Sequence, residues 1–199
     1  MLVLASASPR RHDLLAQAGF SFTVEPTSIP EDLRPEENAV AYVTRLAREK
    51  ADHVYAQLKT KASEDLYVLG ADTTVVAPNG EILAKPGNEA DAKRMLRLLA
   101  GRTHQVMTGV ALVSAQGTET AAEVTHVSMV TLSDEDIAAY VATGEPMDKA
   151  GAYGIQGYAG RWIPRIQGCY FNVMGLPLAL VSAMVEGATR KSAQTTAAG

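Results

Sequence analysis

The stretch LVLASASPRR, residues 2–11, joins an apolar segment to the start of a helix. Leu2–Ala5 has the length and apolar character of a short buried strand. Ser8 is a favourable N-cap, Pro9 suits the first helical position, and Gly19 can end the helix. A strand that leads directly into a helix is the repeating unit of α/β folds.

Arg10 and Arg11 stand in the first turn of this helix, where the helix dipole disfavours positive charge. One interpretation is a pair of solvated arginines, which lowers helix stability by roughly a few tenths of a kcal/mol per residue. The other is an anion site, in which serine hydroxyls, free N–H groups and guanidinium groups meet one phosphate. The residues alone leave both interpretations open.

Strands and helices alternate along the rest of the chain. Asn79-Gly80 is a hairpin signal, so antiparallel pairing is expected beside parallel pairing. The sequence therefore predicts an α/β fold with a mixed sheet and flanking helices. The predicted strands are 2–5, 20–24, 66–76, 81–85, 105–113, 123–131 and 162–166, and the predicted helices are 9–18, 36–58, 89–100, 134–143 and 177–185.

Length and composition limit the protein classes. A chain of 199 residues predicts a single domain, 1–187, followed by a flexible polar tail at 188–199. The net charge of −4 argues against a broad nucleic-acid or anionic membrane surface, and no segment has the length of a membrane span. Cys169 is a single cysteine, which fits the reducing cytoplasm and is typical of a small buried hydrophobe.

Lys50 breaks the apolar stripe of the long helix, where it follows Val43 and Ala47 and precedes Val54. Its aliphatic stem could lie along the core while the ammonium reaches water. If the stripe faces a ligand instead, the ammonium can bind a phosphate.

Asp72 lies inside a strand that is otherwise built for burial, so its carboxylate must be paired, hydrogen-bonded or metal-bound. If Asn79-Gly80 is a two-residue turn, Thr74 opposes Lys85, and Asp72 is diagonal to Lys85 on the same face. The pair could be a structural ion pair. We favour a carboxylate that holds a metal or water beside a phosphate-binding lysine.

The glycine-rich segment 148–157 contains Gln156, whose amide can donate and accept hydrogen bonds. By itself this segment is equally typical of a flexible loop. The sequence has no phosphate-binding P-loop, and its four histidines lack metal-ligand spacing. The residues together predict a phosphate-binding cleft with carboxylates suited to a hard cation such as Mg²⁺.

Six motifs in this order resemble those of the Maf family of nucleoside triphosphate pyrophosphatases, from about Leu2 to Leu178. They are Ser6-Ala7-Ser8-Pro9-Arg10-Arg11, Leu46-Ala47-Arg48-Glu49-Lys50-Ala51, Gly70-Ala71-Asp72-Thr73, Lys85-Pro86, Gly144-Glu145-Pro146 with Asp148-Lys149-Ala150-Gly151, and Gly154-Ile155-Gln156-Gly157. The resemblance implies an elongated fold related to inosine triphosphatases, with two lobes around a central cleft. It also implies a cytoplasmic, Mg²⁺-dependent homodimer, with Mn²⁺ or Co²⁺ as substitutes, that hydrolyses a nucleoside triphosphate to the monophosphate and pyrophosphate.

The resemblance also implies the roles of single residues. Asp72 matches the proposed proton acceptor, and Glu31 matches an acidic position that shares the metal with it. Ser6, Arg11, Lys50 and Lys85 match positions that engage the triphosphate, and Lys85 is also expected to assist catalysis.

Arg10, Thr73 and Gln156 match the three positions that separate the subfamilies. This combination resembles the branch that acts on dTTP and UTP, whereas the branch that acts on 7-methyl-GTP has Trp, Gln and Glu there. Modified pyrimidine nucleotides such as 5-methyl-UTP and pseudo-UTP are further expected substrates.

Two other hypotheses compete with this one. A nucleotide-sensing regulator of septum formation would need the basic residues but not the carboxylates, so Asp72 and Glu31 argue against it. A phosphatase that releases single phosphates would differ in its products.

Overall fold

The computed structural model describes residues 1–60 and 65–197. Within them, the strands are β1 (Leu2–Ala5), β2 (Phe22–Val24), β3 (Tyr67–Val76), β4 (Ile82–Leu83), β5 (Thr103–Ser114), β6 (Gly117–Ser128) and β7 (Arg165–Gln167). The α-helices are α1 (Pro9–Gln17), α2 (Ala39–Leu58), α3 (Glu89–Leu99), α4 (Asp134–Ala142), α5 (Tyr170–Met174) and α6 (Leu178–Ala197). Short 3₁₀ segments cover Glu145–Asp148, Ala150–Ala152 and Tyr158–Trp162.

All seven strands described belong to one mixed sheet, which confirms the predicted α/β class. The order is β2-β1-β3-β5-β6-β7, with β4 paired to β3. The strand β1 runs parallel to β2 and β3, whereas β4 is antiparallel to β3 and β7 is antiparallel to β6. The first strand therefore lies inside the sheet, as expected for an apolar segment buried on both faces.

The predicted hairpin register is wrong by one residue. The structure pairs Val75 with Leu83 and Val76 with Ile82. The Ala77 N–H donates to the Glu81 carbonyl at 2.9 Å, so three residues, 78–80, form the loop, with Gly80 at a φ of 87°. Asparagine-glycine also occurs in such three-residue loops. Since a one-residue shift exchanges the faces of a strand, the predicted facing pair of Thr74 and Lys85, and the diagonal to Asp72, do not form.

Several element boundaries also differ from the predicted ones. The strand β6 starts at Gly117 rather than 123, because its first residues are small, polar and exposed and carry no alternating pattern. The segment predicted as a strand at 162–166 begins in a 3₁₀ segment, and only Arg165–Gln167 pairs. The helix α5 was not predicted. The last helix, predicted over 177–185, extends to Ala197 in α6, whose alanine, lysine and arginine residues favour helix; residues 198–199 of the predicted tail lie outside the described part.

The chain divides into two compact units. The first unit holds the described residues of Met1–Asp72, Thr108–Glu123 and Gly175–Gly199. Helix α2 packs on its strands through a core of small and branched residues: Val3, Ala5, Ala47, Ala51, Val54, Leu66, Val68, Ala111 and Val113. Two glycines allow this approach, because a Cβ at Gly70 would overlap the Ala47 carbonyl oxygen and one at Gly109 would overlap the Val43 carbonyl.

The second unit comprises Thr73–Met107 and Val124–Met174. Its core is rich in aromatic residues, and α3 and α4 contribute Leu96, Leu99 and Ile137 to it. Tyr140, Tyr158 and Trp162 form a cluster of rings with centroids 5.2–5.5 Å apart. These contacts order the glycine-rich segment, which the sequence alone left as a candidate flexible loop.

Across residues 1–60 and 65–197, no helix combines the length and the apolar character needed to cross a membrane.

We predict that Gly70→Ala lowers the free energy of unfolding by about 1–3 kcal/mol, because the added methyl group overlaps the backbone of α2. Gly187→Ala in α6 is the matched control: apart from its chain neighbours and the adjacent backbone of α6, no described atom lies within 4 Å of its added Cβ. Since glycine weakens helices, the control should gain about 0.5–1 kcal/mol. Urea unfolding of both variants measures the difference, and equal stability of the two would contradict the close packing of α2 on β3.

Candidate active site

The turn between β1 and α1 places two serine hydroxyls at the helix N-terminus. Ser8 is the N-cap, and its Oγ accepts from the Arg11 N–H at 3.4 Å. Ser6 is buried, and its Oγ accepts from the Ser8 N–H at 3.2 Å. The predicted cap is confirmed. It leaves a hydroxyl and helical N–H groups at one point, as an anion site requires.

The two arginines of the first turn have different surroundings. Arg11 is half-buried, and it donates from Nε to the Gly175 carbonyl at 2.8 Å and from Nη1 to Ser6 Oγ at 3.4 Å. Burial lowers the pKa of Arg11, and the charge of Asp72 partly opposes this. The guanidinium remains protonated, since the pKa of arginine is normally above 12. Arg11 is therefore a fixed positive charge at the N-terminus of α1.

Lys50 is the centre of the site, because its ammonium lies between two carboxylates. Lys50 Nζ is 2.7 Å from Asp72 Oδ1 and 2.6 Å from Glu31 Oε1. The side chains of Lys50 and Asp72 are 9% and 10% exposed, whereas that of Glu31 is 50% exposed. The Lys50 ammonium is thus not directed to water. It extends from α2 and forms ion pairs with Asp72 on β3 and with Glu31 in the loop before α2.

Burial gives Asp72 unusual proton affinity. Desolvation raises the pKa of Asp72, and the nearby charges of Lys50 and Arg11 only partly counteract it. A carboxylate whose pKa lies above its ordinary value is a stronger base. Asp72 can therefore accept a proton from a nearby water while Lys50 balances its charge.

The carboxylates fit the metal that the family implies. In the part of the chain that the structure describes, no three histidine, cysteine, aspartate or glutamate side chains surround a common point. Asp72 Oδ1 and Glu31 Oε1 nevertheless lie 2.7 and 2.6 Å from the same atom, Lys50 Nζ, so two hard oxygen donors face one point. Mg²⁺ is commonly held by one or two carboxylates together with substrate phosphates and water, so two carboxylates are sufficient.

The loop that carries Glu31 is anchored by residues that the sequence interpretation missed. Tyr42 Oη donates to the Glu31 carbonyl at 2.8 Å, and Arg45 Nη2 donates to the Asp32 carbonyl at 3.0 Å. The four-residue spacing of Arg45 and Glu49 on α2 was the available signal, since such pairs form on helices. It indicated a surface ion pair, not the contact with the loop.

The remaining predicted residues belong to the second unit. Lys85 is exposed after β4, and Thr73 is half-buried on β3. Gln156 is exposed in a turn that Glu145 supports, because Glu145 Oε2 accepts from the Tyr158 N–H at 3.2 Å. A Cβ at Gly157 would overlap Glu145 Oε1, so a larger residue there would displace the Glu145 carboxylate. Glu145 was also missed as a support of Gln156.

The chain matches the model of a family described as Maf-like protein over residues 1–188. A dTTP/UTP pyrophosphatase from Shigella sonnei (strain Ss046) is 55% identical over 177 residues, 89% of this chain and 87% of the relative. One from Koribacter versatilis (strain Ellin345) is 50% identical over 187 residues, 94% of each chain. A nucleoside triphosphate pyrophosphatase from Shigella flexneri is 54% identical over 177 residues, 89% of this chain and 87% of the relative.

Solved structures give more distant matches. The Staphylococcus aureus Ham1 protein has a TM-score of 0.45 at 15% identity, over 64% of this chain and 71% of its own. A nucleoside-triphosphatase/dITP/XTP pyrophosphatase from Mycobacterium abscessus has a TM-score of 0.40 at 13% identity, over 98% and 96% of the two chains.

We predict that Lys50→Met lowers the free energy of unfolding near pH 7.5 by about 3 kcal/mol, because it leaves a buried carboxylate unpaired. Lys50 lowers the pKa of Asp72, so its loss raises that pKa further above the unfolded value. A group with a raised folded pKa stabilises below its unfolded pKa and loses that contribution as pH rises through the folded one. The destabilisation should therefore shrink as pH falls towards 5.

Urea unfolding at several pH values measures this effect. Lys50→Met combined with Asp72→Asn should regain much of the stability near pH 7.5, since no buried charge remains on Asp72. Arg48→Met is the control, because Arg48 is exposed on the same helix. A pH-independent loss, or no recovery in the double variant, would contradict the charge argument.

Proposed function

The chain belongs to the Maf-like protein family, and from this membership we propose that it hydrolyses dTTP and UTP to the monophosphate and pyrophosphate. The names of relatives at 50–55% identity support this activity. The observation that carries it is the buried Asp72 carboxylate, held 2.7 Å from Lys50 Nζ, with Glu31 on the other side of the ammonium. Modified pyrimidine nucleotides such as 5-methyl-UTP and pseudo-UTP are proposed as further substrates.

Asp72 is the proton acceptor in the proposed reaction. A water molecule attacks the α-phosphorus atom, and one proton of this water passes to Asp72. The bond between the α- and β-phosphates then breaks. The electron pair of that bond leaves with the pyrophosphate. The raised pKa of Asp72 suits this step, since a base is more effective when its pKa approaches the working pH.

Positive charges stabilise the leaving pyrophosphate. Arg11, fixed by Ser6 and Gly175, lies at the N-terminus of α1, so its charge and the helix dipole act on the same anion. Ser6, Lys50 and Lys85 are proposed to bind the triphosphate, and Lys85 is also proposed to assist catalysis.

Asp72 and Glu31 would hold the divalent metal, which we propose is Mg²⁺, with Mn²⁺ or Co²⁺ as substitutes. A bound divalent cation neutralises phosphate charge and lowers the pKa of water. Glu31 is the more exposed donor and lies on a loop, so it can adjust to the metal, whereas Asp72 is fixed on β3.

Arg10, Thr73 and Gln156 are proposed to select the base. A uracil or thymine edge offers two carbonyl acceptors and one N–H donor, which an amide and a guanidinium can match. A methylated guanine is cationic and favours an aromatic face, which these side chains do not provide.

We also propose that the protein is a cytoplasmic homodimer. The single cysteine and the net charge of −4 support an interior compartment without nucleic-acid binding. A nucleotide-sensing regulator of septum formation is the alternative, which the enzyme names of the relatives do not favour.

Pyrophosphate release by the purified protein with Mg²⁺ tests the proposed function across dTTP, UTP, CTP, GTP and 7-methyl-GTP. We expect release led by dTTP and UTP, without single phosphates. Preference for 7-methyl-GTP would overturn the roles of Arg10, Thr73 and Gln156 but retain the reaction. Orthophosphate as the first product, or no turnover at all, would overturn the reaction itself.

We predict that Asp72→Asn lowers kcat for dTTP by about 10²- to 10⁴-fold, because it removes the proton acceptor and one carboxylate of the proposed metal site. Most dTTP binding should remain, since Ser6, Arg11 and Lys50 are still present. Steady-state kinetics and calorimetric titration with dTTP measure the two effects. Asp52→Asn is the matched control, since Asp52 is an exposed partner of Arg48 on α2 and should keep wild-type kcat. Near-normal turnover of Asp72→Asn would contradict the assignment.

A further inference from the structure

Glu31 lies on a segment without helix or strand, residues 25–38, yet its carboxylate is 2.6 Å from Lys50 Nζ. Side chains on loops are less precisely placed than those on strands unless other groups fix them. The contacts that fix this segment therefore decide whether Glu31 stays beside Lys50 and Asp72.

Arg45 makes the largest set of these contacts. Its Nε and Nη2 bind the two carboxylate oxygens of Glu37 at 2.6 and 2.7 Å, and Nη2 also donates to the Asp32 carbonyl at 3.0 Å. Nη1 donates to Glu49 at 3.2 Å, so α2 itself fixes the guanidinium. Planar two-point contacts of this kind are strong and direction-specific.

The Arg45–Glu37 pair differs from an ordinary surface ion pair. The side chains of Arg45 and Glu37 are 13% and 8% exposed. Hydrogen bonding to Arg45 lowers the pKa of Glu37 to about 2, so the pair stays ionised across the working pH range. Because Glu37 lies near the end of the segment 25–38, this pair fixes the C-terminal end of the segment to α2.

Tyr42 fixes the same segment at Glu31 itself. Its Oη donates to the Glu31 carbonyl at 2.8 Å, and its ring lies 5.7 Å from the Arg45 guanidinium carbon. Burial and the charges of Asp72 and Glu31 raise the pKa of Tyr42 to about 12, which keeps the hydroxyl protonated as a donor. The two residues, three apart on α2, thus bind successive carbonyls of the loop.

We propose that Arg45 and Tyr42 are positioning residues that hold the backbone at Glu31 and Asp32 and so place the Glu31 carboxylate beside Lys50 and Asp72. This inference rests on the proposed function, in which Glu31 takes part in turnover. Neither residue is proposed to touch the nucleotide. Their loss should lower kcat through Glu31 and leave nucleotide binding by Arg11 in place.

Steady-state hydrolysis of dTTP with Mg²⁺ is measured for Arg45→Ala, Arg45→Lys and Tyr42→Phe. We expect Arg45→Ala to lower kcat about tenfold with KM within about twofold, since misplacement of a reacting group mainly lowers turnover. Arg45→Lys should recover part of this loss, because lysine keeps the positive charge but cannot form the planar two-point contact with Glu37. Tyr42→Phe should have a smaller effect. Arg48→Ala is the matched control on α2, because its guanidinium pairs with Asp52 and not with the loop.

A double-mutant cycle separates positioning from general structural damage. In the Glu31→Gln background, Arg45→Ala should lower kcat by less than about twofold, because the group it positions is already absent. A structural role would give the same tenfold loss in both backgrounds. Hydrogen exchange of peptides covering residues 28–34 should be faster in Arg45→Ala and unchanged in Arg48→Ala.

The outcomes distinguish this proposal from the proposed function. If the wild-type protein releases no pyrophosphate, the proposed function fails first, and unchanged exchange at 28–34 would then overturn the positioning role as well. If the wild-type protein is active, the proposal is overturned by wild-type kcat in Arg45→Ala or by equal losses in the two backgrounds. If Glu31→Gln has no measurable turnover, two results for Arg45→Ala replace the cycle. Faster exchange at 28–34 together with a lower kcat supports the positioning role, and the absence of either overturns it.

Discussion

The contact of the Lys50 ammonium with the Asp72 carboxylate is the constraint on which the site and its supporting structure depend. Each charge is expensive to bury alone, and the pair is tolerable only at short distance. Gly70 and Asp72 are two residues apart on β3, so they share the face that α2 covers. The missing side chain at Gly70 admits the Ala47 carbonyl, and Lys50 follows Ala47 one turn later. The close approach of α2 at Gly70 thus brings the Lys50 ammonium within reach of the Asp72 carboxylate.

The positions that break local sequence rules gain their explanation from partners far along the chain. Arg11 is unfavourable for the first turn of α1 in isolation, but Ser6 and the Gly175 carbonyl hold it there. Lys50 on an apolar stripe and Asp72 in a buried strand are each unfavourable, and together they satisfy one another. Conflict between a residue and its local pattern therefore identified side chains whose partners lie far along the chain.

A feature could be predicted from the sequence when the residues that cause it are close together along the chain. The cap at Ser8 was predictable, since its side chain and an N–H group three residues away form it. The hairpin register was not, because Asn79-Gly80 fits loops of two or three residues and the choice depends on packing of β3. The Lys50–Asp72 contact depends on the approach of α2 to β3. Spacing along the chain carries no information on that distance, so the sequence paired Asp72 with Lys85 instead.

Burial distinguishes the two carboxylates that share Lys50, although they are chemically alike. Asp72 is rigid on a central strand and 10% exposed, and desolvation raises its pKa, which suits a proton acceptor. Glu31 is 50% exposed on a loop and reaches the same ammonium only because α2 anchors its backbone. A group that must adapt to incoming metal and phosphate benefits from solvent contact and limited freedom, whereas a base benefits from a dry, fixed place. The position of each carboxylate in the fold, rather than its residue type, therefore suits it to the role proposed for it.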